Sequence, residues 1–181
     1  ICLKAAGEQF GFEVSSIHTV QEDGERISSS ALRNALANGN MDQATKLLGR
    51  PYGISGHVIH GQKLGRTLGF PTLNLAVANH LHQRKPACSG IFTAQVLGLE
   101  DKPLPAVASL GVRPTVEDEG RVLLETHIFD YNANVYGKII TVELLEKIRD
   151  EAKYPDLETL TQAIASDAAH ARNYFQKKAY V

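Results

Sequence analysis

From Tyr52 onward the chain carries about six short runs rich in β-branched residues, near 53–60, 72–77, 90–98, 104–110, 121–130 and 138–147, each bounded by glycine or proline. No helical period separates them, and strands that follow one another without intervening helices form an antiparallel sheet or barrel rather than a βαβ arrangement. In the fifth run Val122, Leu124 and Ile128 alternate with Glu125, His127 and Phe129, and in the sixth Ile140, Val142 and Leu144 share one face. Side chains at alternate positions of a strand point to opposite faces, so one face goes to a core and the other is available to a site. After Pro155 the period changes: Leu157, Leu160, Ile164, Ala168, Ala171 and Phe175 recur at spacings of three and four, with Asp156 as a cap. That spacing predicts a long C-terminal helix packed on the sheet.

The first fifty residues are punctuated as two short helices. Ser30 is expected to cap a helix through Ala31 to Ala37, with Gly39 just beyond; Asn40 is expected to cap another from Asp42 to Leu48, closed by Gly49, before Pro51 separates this part from the strands. The chain begins at Ile1 in an amphipathic segment and reads as a fragment of something longer. Residues ahead of the helices are expected to be partly ordered at best, and the helices after Ser30 to dock on the barrel. With 19 basic and 20 acidic side chains among 181 residues, the chain has no overall field that would draw it to nucleic acid or anionic lipid. Cys2 and Cys88 lie far apart without metal-ligand spacing, which suits a reducing compartment and hence the cytoplasm. No apolar run approaches the roughly twenty residues of a membrane helix.

The chemistry concentrates in HGQKLGRTLGFPTLNL. Gly61, Gly65 and Gly69 with Lys63 and Arg66 make a basic loop whose backbone can approach phosphate oxygens, although the same residues also suit a plain hairpin. The pattern is neither the P-loop nor the dinucleotide fingerprint. Pro71 fixes the backbone entering Thr72, and Thr72 and Asn74 at alternate positions would lie side by side. Two neutral hard oxygens are a partial shell for Mg²⁺ completed by substrate phosphates; equally, they can close a turn by side-chain hydrogen bonds. Glu125, mid-strand beside apolar residues, is a candidate general base or a rim glutamate in a salt bridge. His127 shares its face and is assigned no role. Arg149 and Tyr154, in KIRDEAKYPDL, could stack on a planar aromatic ligand or belong to a solvated connection.

Taken in order and separation, GRTLGFPTLNL, SGIFTAQV, ASLGVRPTV, LLETHIFDY and IRDEAKYPDLETL resemble the riboflavin kinase module of the bacterial bifunctional riboflavin kinase/FAD synthetases, over residues from about 50 to 175. The resemblance implies a six-stranded antiparallel Greek-key barrel with a C-terminal helix. It implies transfer of the ATP γ-phosphate to riboflavin, with Glu125 taking the proton from the ribityl 5′-hydroxyl. The loop from Gly61 to Gly69 would fold over ATP, Thr72 and Asn74 would hold Mg²⁺ and phosphates, and Arg149 and Tyr154 would lie near the isoalloxazine ring. Upstream, ISSSALRNALANGNMDQATKLLGR resembles the end of the family's FMN adenylyltransferase domain, with Ser28, Ser29, Ser30 and Arg33 matching its phosphate motif. The expected division is therefore an adenylyltransferase remnant at 1–48 and a kinase domain at 49–181. The activity of the former is expected to be absent without its missing N-terminal domain. Phe92, where tyrosine is common, and Ala87-Cys88-Ser89 depart from the family's pattern on the expected adenine side. The competing reading from another class is a non-catalytic flavin- or nucleotide-binding barrel.

Overall fold

The computed structural model describes residues 2–15, 21–22, 25–61, 65, 68–76, 86–112 and 122–178. It begins with helix α1 (Cys2–Phe10) and a two-stranded ribbon, β1 (Gln21–Glu22) and β2 (Glu25–Arg26). Helices α2 (Ser29–Ala37) and α3 (Met41–Leu48) follow. The cap of α2 is Ser28 rather than Ser30, because extended backbone at Ser28 lets its Oγ accept from the Ala31 amide at 3.1 Å, which draws Ser29 and Ser30 into the first turn. Asn40 caps α3 by accepting from Gln43 N at 3.0 Å, and Gly49 ends it in the left-handed conformation at φ 68°.

Six strands form the barrel: β3 (Tyr52–Ile59), β4 (Leu73–Ala76), β5 (Gly90–Leu97), β6 (Leu104–Val112), β7 (Val122–Ile128) and β8 (Ile139–Arg149). Every pairing is antiparallel, and the closed order is β3-β4-β7-β6-β5-β8. The consecutive strands β5, β6 and β7 lie side by side and β8 returns next to β5, which is a Greek key. β8 is long enough to pair with β3 through its first half and with β5 along its length, and register shifts at Ile91/Phe92 and Thr93/Ala94 let it bend around the closure.

A six-stranded barrel has a narrow interior, so its filling alternates large and small side chains. Phe92 faces Ala108 across the β5–β6 ladder, Ala94 faces Ala106, and all four are at most 1% exposed. Ile140, Val142 and Leu144 of β8 close the same interior, as their alternation predicts. Cys88 is buried and unbridged, its thiol pushed up to about 11 by burial.

Two helical layers cover the barrel. Leu36, Met41, Ala44 and Leu47 of α2 and α3 belong to the same apolar cluster as the barrel interior, with α3 against β3 and β8. On another side α4 (Leu157–Lys178) lies over β5 and β6. There Ala168 and Ala171 form a second cluster with Val107 and Phe129, against Phe70, Ile91 and Ile148. Asp156 starts α4 by accepting from both the amide (2.7 Å) and hydroxyl (2.8 Å) of Thr159. Among the described residues no helix is long and apolar enough to cross a membrane.

Candidate active site

The site grows from strand register. Asn74 of β4 is the direct partner of Glu125 in β7, and Glu125 is in turn the partner of Ser109 in β6. Their neighbours Leu73, Leu75, Leu124, Thr126, Ala108 and Leu110 are buried and pair with one another in the adjoining rungs. By the alternation of the pleat, Asn74, Glu125 and Ser109 form one row on the barrel's outer face. His127 follows two residues after Glu125 on the same face, and its Nδ1 donates to the Pro71 carbonyl at 2.8 Å. The carbonyl has no proton, so this bond sets Nδ1 as the protonated nitrogen. The rings of Phe70 and Phe129 meet His127 edge-on at 5.6 and 5.7 Å. The strand bearing Glu125 is thereby tied to the residue that precedes Thr72.

The glycines upstream act mainly by lacking a side chain. A Cβ on Gly61 would overlap the Asn74 amide, and one on Gly65 would overlap the Phe70 carbonyl and come within 3.3 Å of Thr72 Oγ1. Gly65 O accepts from Leu68 N (3.2 Å) and Phe70 N (2.8 Å), and the turn closes through Gly69 at φ 83°. Gly61 and Gly65 therefore lie directly against Asn74 and Thr72. Lys63 and Arg66, expected in this loop, are outside the described residues, as are Arg113 and Pro114.

These elements enclose a cavity of about 270 Å³. Gly65, Thr72, Asn74, Glu125, Arg149 and Tyr154, dispersed in sequence, all line it. Its apolar wall comes from Phe70, Ile91 and Val107 and from Leu160 and Ile164 of α4. A second cavity of about 370 Å³ lies between Pro71–Leu73, the β7 residues Thr126 and Ile128, and the Tyr131–Tyr136 loop. Thr72 lines both. Ser28, Ser29, Ser30 and Arg33, at the start of α2, line neither.

Sequence reasoning missed Asp167. It is 6% exposed, lines the first cavity, and accepts from Arg149 Nε at 2.9 Å and Nη2 at 2.6 Å. This bond holds the guanidinium's proton even more firmly than usual. The signal was a carboxylate within the apolar stripe of α4, three residues after Ile164 and just before Ala168. Glu151, also missed, lines the cavity with its carboxyl raised by loss of water, an effect Arg149 opposes.

Among the described residues no three His, Cys, Asp or Glu side chains cluster as metal ligands. Thr72 and Asn74 remain the candidate donors, and Asn74 Oδ1 is buried without a hydrogen-bond partner among the described residues. A buried carbonyl oxygen left unsatisfied fits a hard cation that takes its remaining ligands from phosphates and water.

Comparison with known proteins fits this architecture. The family model for flavokinase, riboflavin kinase, matches residues 48–175. The bifunctional riboflavin kinase/FMN adenylyltransferase of Escherichia coli is 45% identical over 175 residues, covering 97% of this chain and 54% of that protein. Its namesake in Haemophilus influenzae is 42% identical over 173 residues, covering 96% of this chain and 54% of that protein. The chain thus spans about half the length of the curated relatives it matches. The crystal structure of a macrolide-efflux protein from Streptococcus pneumoniae superposes with a TM-score of 0.75 at 31% identity, over 94% of this chain and 54% of that one.

Proposed function

Because the chain belongs to the flavokinase, or riboflavin kinase, family, we propose that it transfers the γ-phosphoryl group of ATP to the ribityl 5′-hydroxyl of riboflavin, giving FMN and ADP. The observation that carries this reading is one cavity lined together by Thr72, Asn74, Glu125, Arg149 and Tyr154, with Asn74 and Glu125 paired across β4 and β7 and Thr72 also lining the second cavity. A phosphoryl transfer needs two substrates brought end to end, a base for the attacking hydroxyl, and donors for the phosphate charge.

In this reading riboflavin occupies the first cavity, its ring between the apolar wall of α4 and the segment bearing Arg149 and Tyr154. ATP occupies the second, with its phosphates reaching Thr72 under the loop from Gly61 to Gly69, where Lys63 and Arg66 add positive charge. Glu125 accepts the 5′-hydroxyl proton as the oxygen attacks phosphorus. Thr72 and Asn74 hold the divalent ion, which we take to be Mg²⁺ because it keeps waters and shares ligands with phosphates. When bound, the ion neutralises charge on the transferring phosphate. Positioning by this chain's own residues does the remainder.

We further propose that the kinase domain is 49–181 and that 1–48 belong to an FMN adenylyltransferase domain, with Ser28, Ser29, Ser30 and Arg33 in its phosphate motif. The adenylylation of FMN to FAD would then lie with the part of its relatives, about half their length, that this chain does not span. The use of ATP by both activities accords with a cytoplasmic location.

The test is to incubate the protein with riboflavin, ATP and Mg²⁺ and separate the flavins. FMN without FAD supports the reading. Riboflavin binding without any FMN would overturn it in favour of a non-catalytic flavin-binding barrel.

A further inference from the structure

Residues 150–156, which join β8 to α4, form neither helix nor strand, yet Glu151, Ala152 and Tyr154 within them wall the first cavity. A segment without a backbone ladder takes its position from what its ends and side chains touch. Lys147 pairs with Asp150 at 2.6 Å, and Arg149, the last residue of β8, ties the linker to the helix. It reaches across the linker to Asp167, more than two turns into α4, with Nε and Nη2 on the two carboxylate oxygens at 2.9 and 2.6 Å. Its Nη1 donates to the Asp150 carbonyl at 2.9 Å, and its guanidinium carbon lies 5.7 Å from the Tyr154 ring centre. Glu151 lies over Gly111, where any Cβ would overlap its carboxylate.

Asp167 is costly where it stands. It is 6% exposed in a stripe otherwise built of Ile164, Ala168 and Ala171, and a buried ion pair is often no more stable than apolar residues of similar volume. What the carboxylate adds is direction: a side-on fork fixes the plane and depth of a guanidinium, which an apolar contact does not.

We propose that Asp167 is a positioning residue for the flavin cavity, clamping β8, the 150–156 linker and α4 through Arg149 so that the linker forms a fixed wall for the flavin ring. The inference rests on the riboflavin kinase reading. It concerns only the riboflavin side, since no residue of this clamp lines the second cavity.

The experiment compares wild type with Asp167→Asn, following riboflavin fluorescence for binding and steady-state rates with riboflavin and ATP varied separately. Losing one charged hydrogen bond of the fork should raise the riboflavin Kd and KM about ten- to hundredfold. The fall in kcat should be smaller than that rise, and the ATP KM should stay within about twofold. Because Asp167→Asn leaves Arg149 uncompensated, Arg149→Met with Asp167→Leu provides a version free of the buried charge. Its melting temperature should lie near that of wild type while riboflavin affinity stays low. An unchanged riboflavin KM in Asp167→Asn, or wild-type affinity in the folded double variant, overturns the clamp alone. Equal rises in both substrates' KM with a collapsed melting transition also overturn it, as a general structural role. Wild type that neither binds riboflavin nor makes FMN overturns the kinase reading and the clamp together.

Discussion

Glu125 faces the first cavity from the middle of β7, with Asn74 opposite it on one neighbouring strand and Ser109 on the other. As the proposed base for the attacking hydroxyl it would be replaceable in shape but not in charge. Glu125→Gln is expected to keep riboflavin and ATP binding while lowering turnover by about two to four orders of magnitude, measured by FMN formation at saturating substrates. Turnover near wild type would remove Glu125 from that role. Gly61 tests the other end of the row. Its missing side chain is where the Asn74 amide sits, so Gly61→Ala must displace Asn74 or the loop. The expected result is a weaker response to added Mg²⁺ together with reduced turnover; an unchanged metal titration would mean that Asn74 does not hold the ion. The residue types at these positions were readable from the chain, because carboxylates, hydroxyls and glycines near one another suggest phosphate chemistry. Their being one row was not, since residues 74, 109 and 125 meet only through pairing between strands.

At the scale of elements, α4 is both a layer of the fold and a wall of the site. Its start depends on Asp156, whose carboxyl is held below its ordinary value of 3.8 first by the Thr159 amide and then by the Thr159 hydroxyl. A carboxylate with a depressed folded value contributes stability above its unfolded value and loses it as pH falls through the folded one. The contribution should therefore be present above about pH 4 and lost on acidification below it. Asp156→Ala should lower the melting temperature at neutral pH and bring the two proteins closer together at the acid end. Parallel curves across the whole range would refute the cap's electrostatic role. This cap and the three-four spacing behind it were legible because both are local. Asp167 was legible only as an anomaly in the apolar stripe, because its partner Arg149 lies 18 residues away across an irregular linker.

For the molecule as a whole, the barrel interior and the α2–α3 pair share one apolar cluster. Leu36, 2% exposed on α2, is then part of the barrel's stability despite lying ahead of the family match at residues 48–175. Leu36→Ala is expected to cost about 2–5 kcal/mol, the range for a large-to-small change in a packed core. Urea unfolding read from the barrel strands would measure it. A loss below about 0.5 kcal/mol would show that the helices fold independently of the barrel.

From the sequence alone came the strand texture, the switch to a helical period after Pro155, and the short list of chemical groups. Each is carried by alternation, capping or residue type within a few positions. The helix cap at Ser28 instead of Ser30 shows how far that reach extends: three serines in a row offer the same chemistry, and backbone dihedrals choose among them. Tertiary structure decided the closed strand order and the gathering of Thr72, Asn74, Glu125, Arg149 and Tyr154 around one cavity. It also decided the engagement of Arg149 by Asp167. The reason is physical: strand pairing and helix docking bring together groups far apart in the chain, and no period or motif along one segment encodes which distant segment will lie beside it.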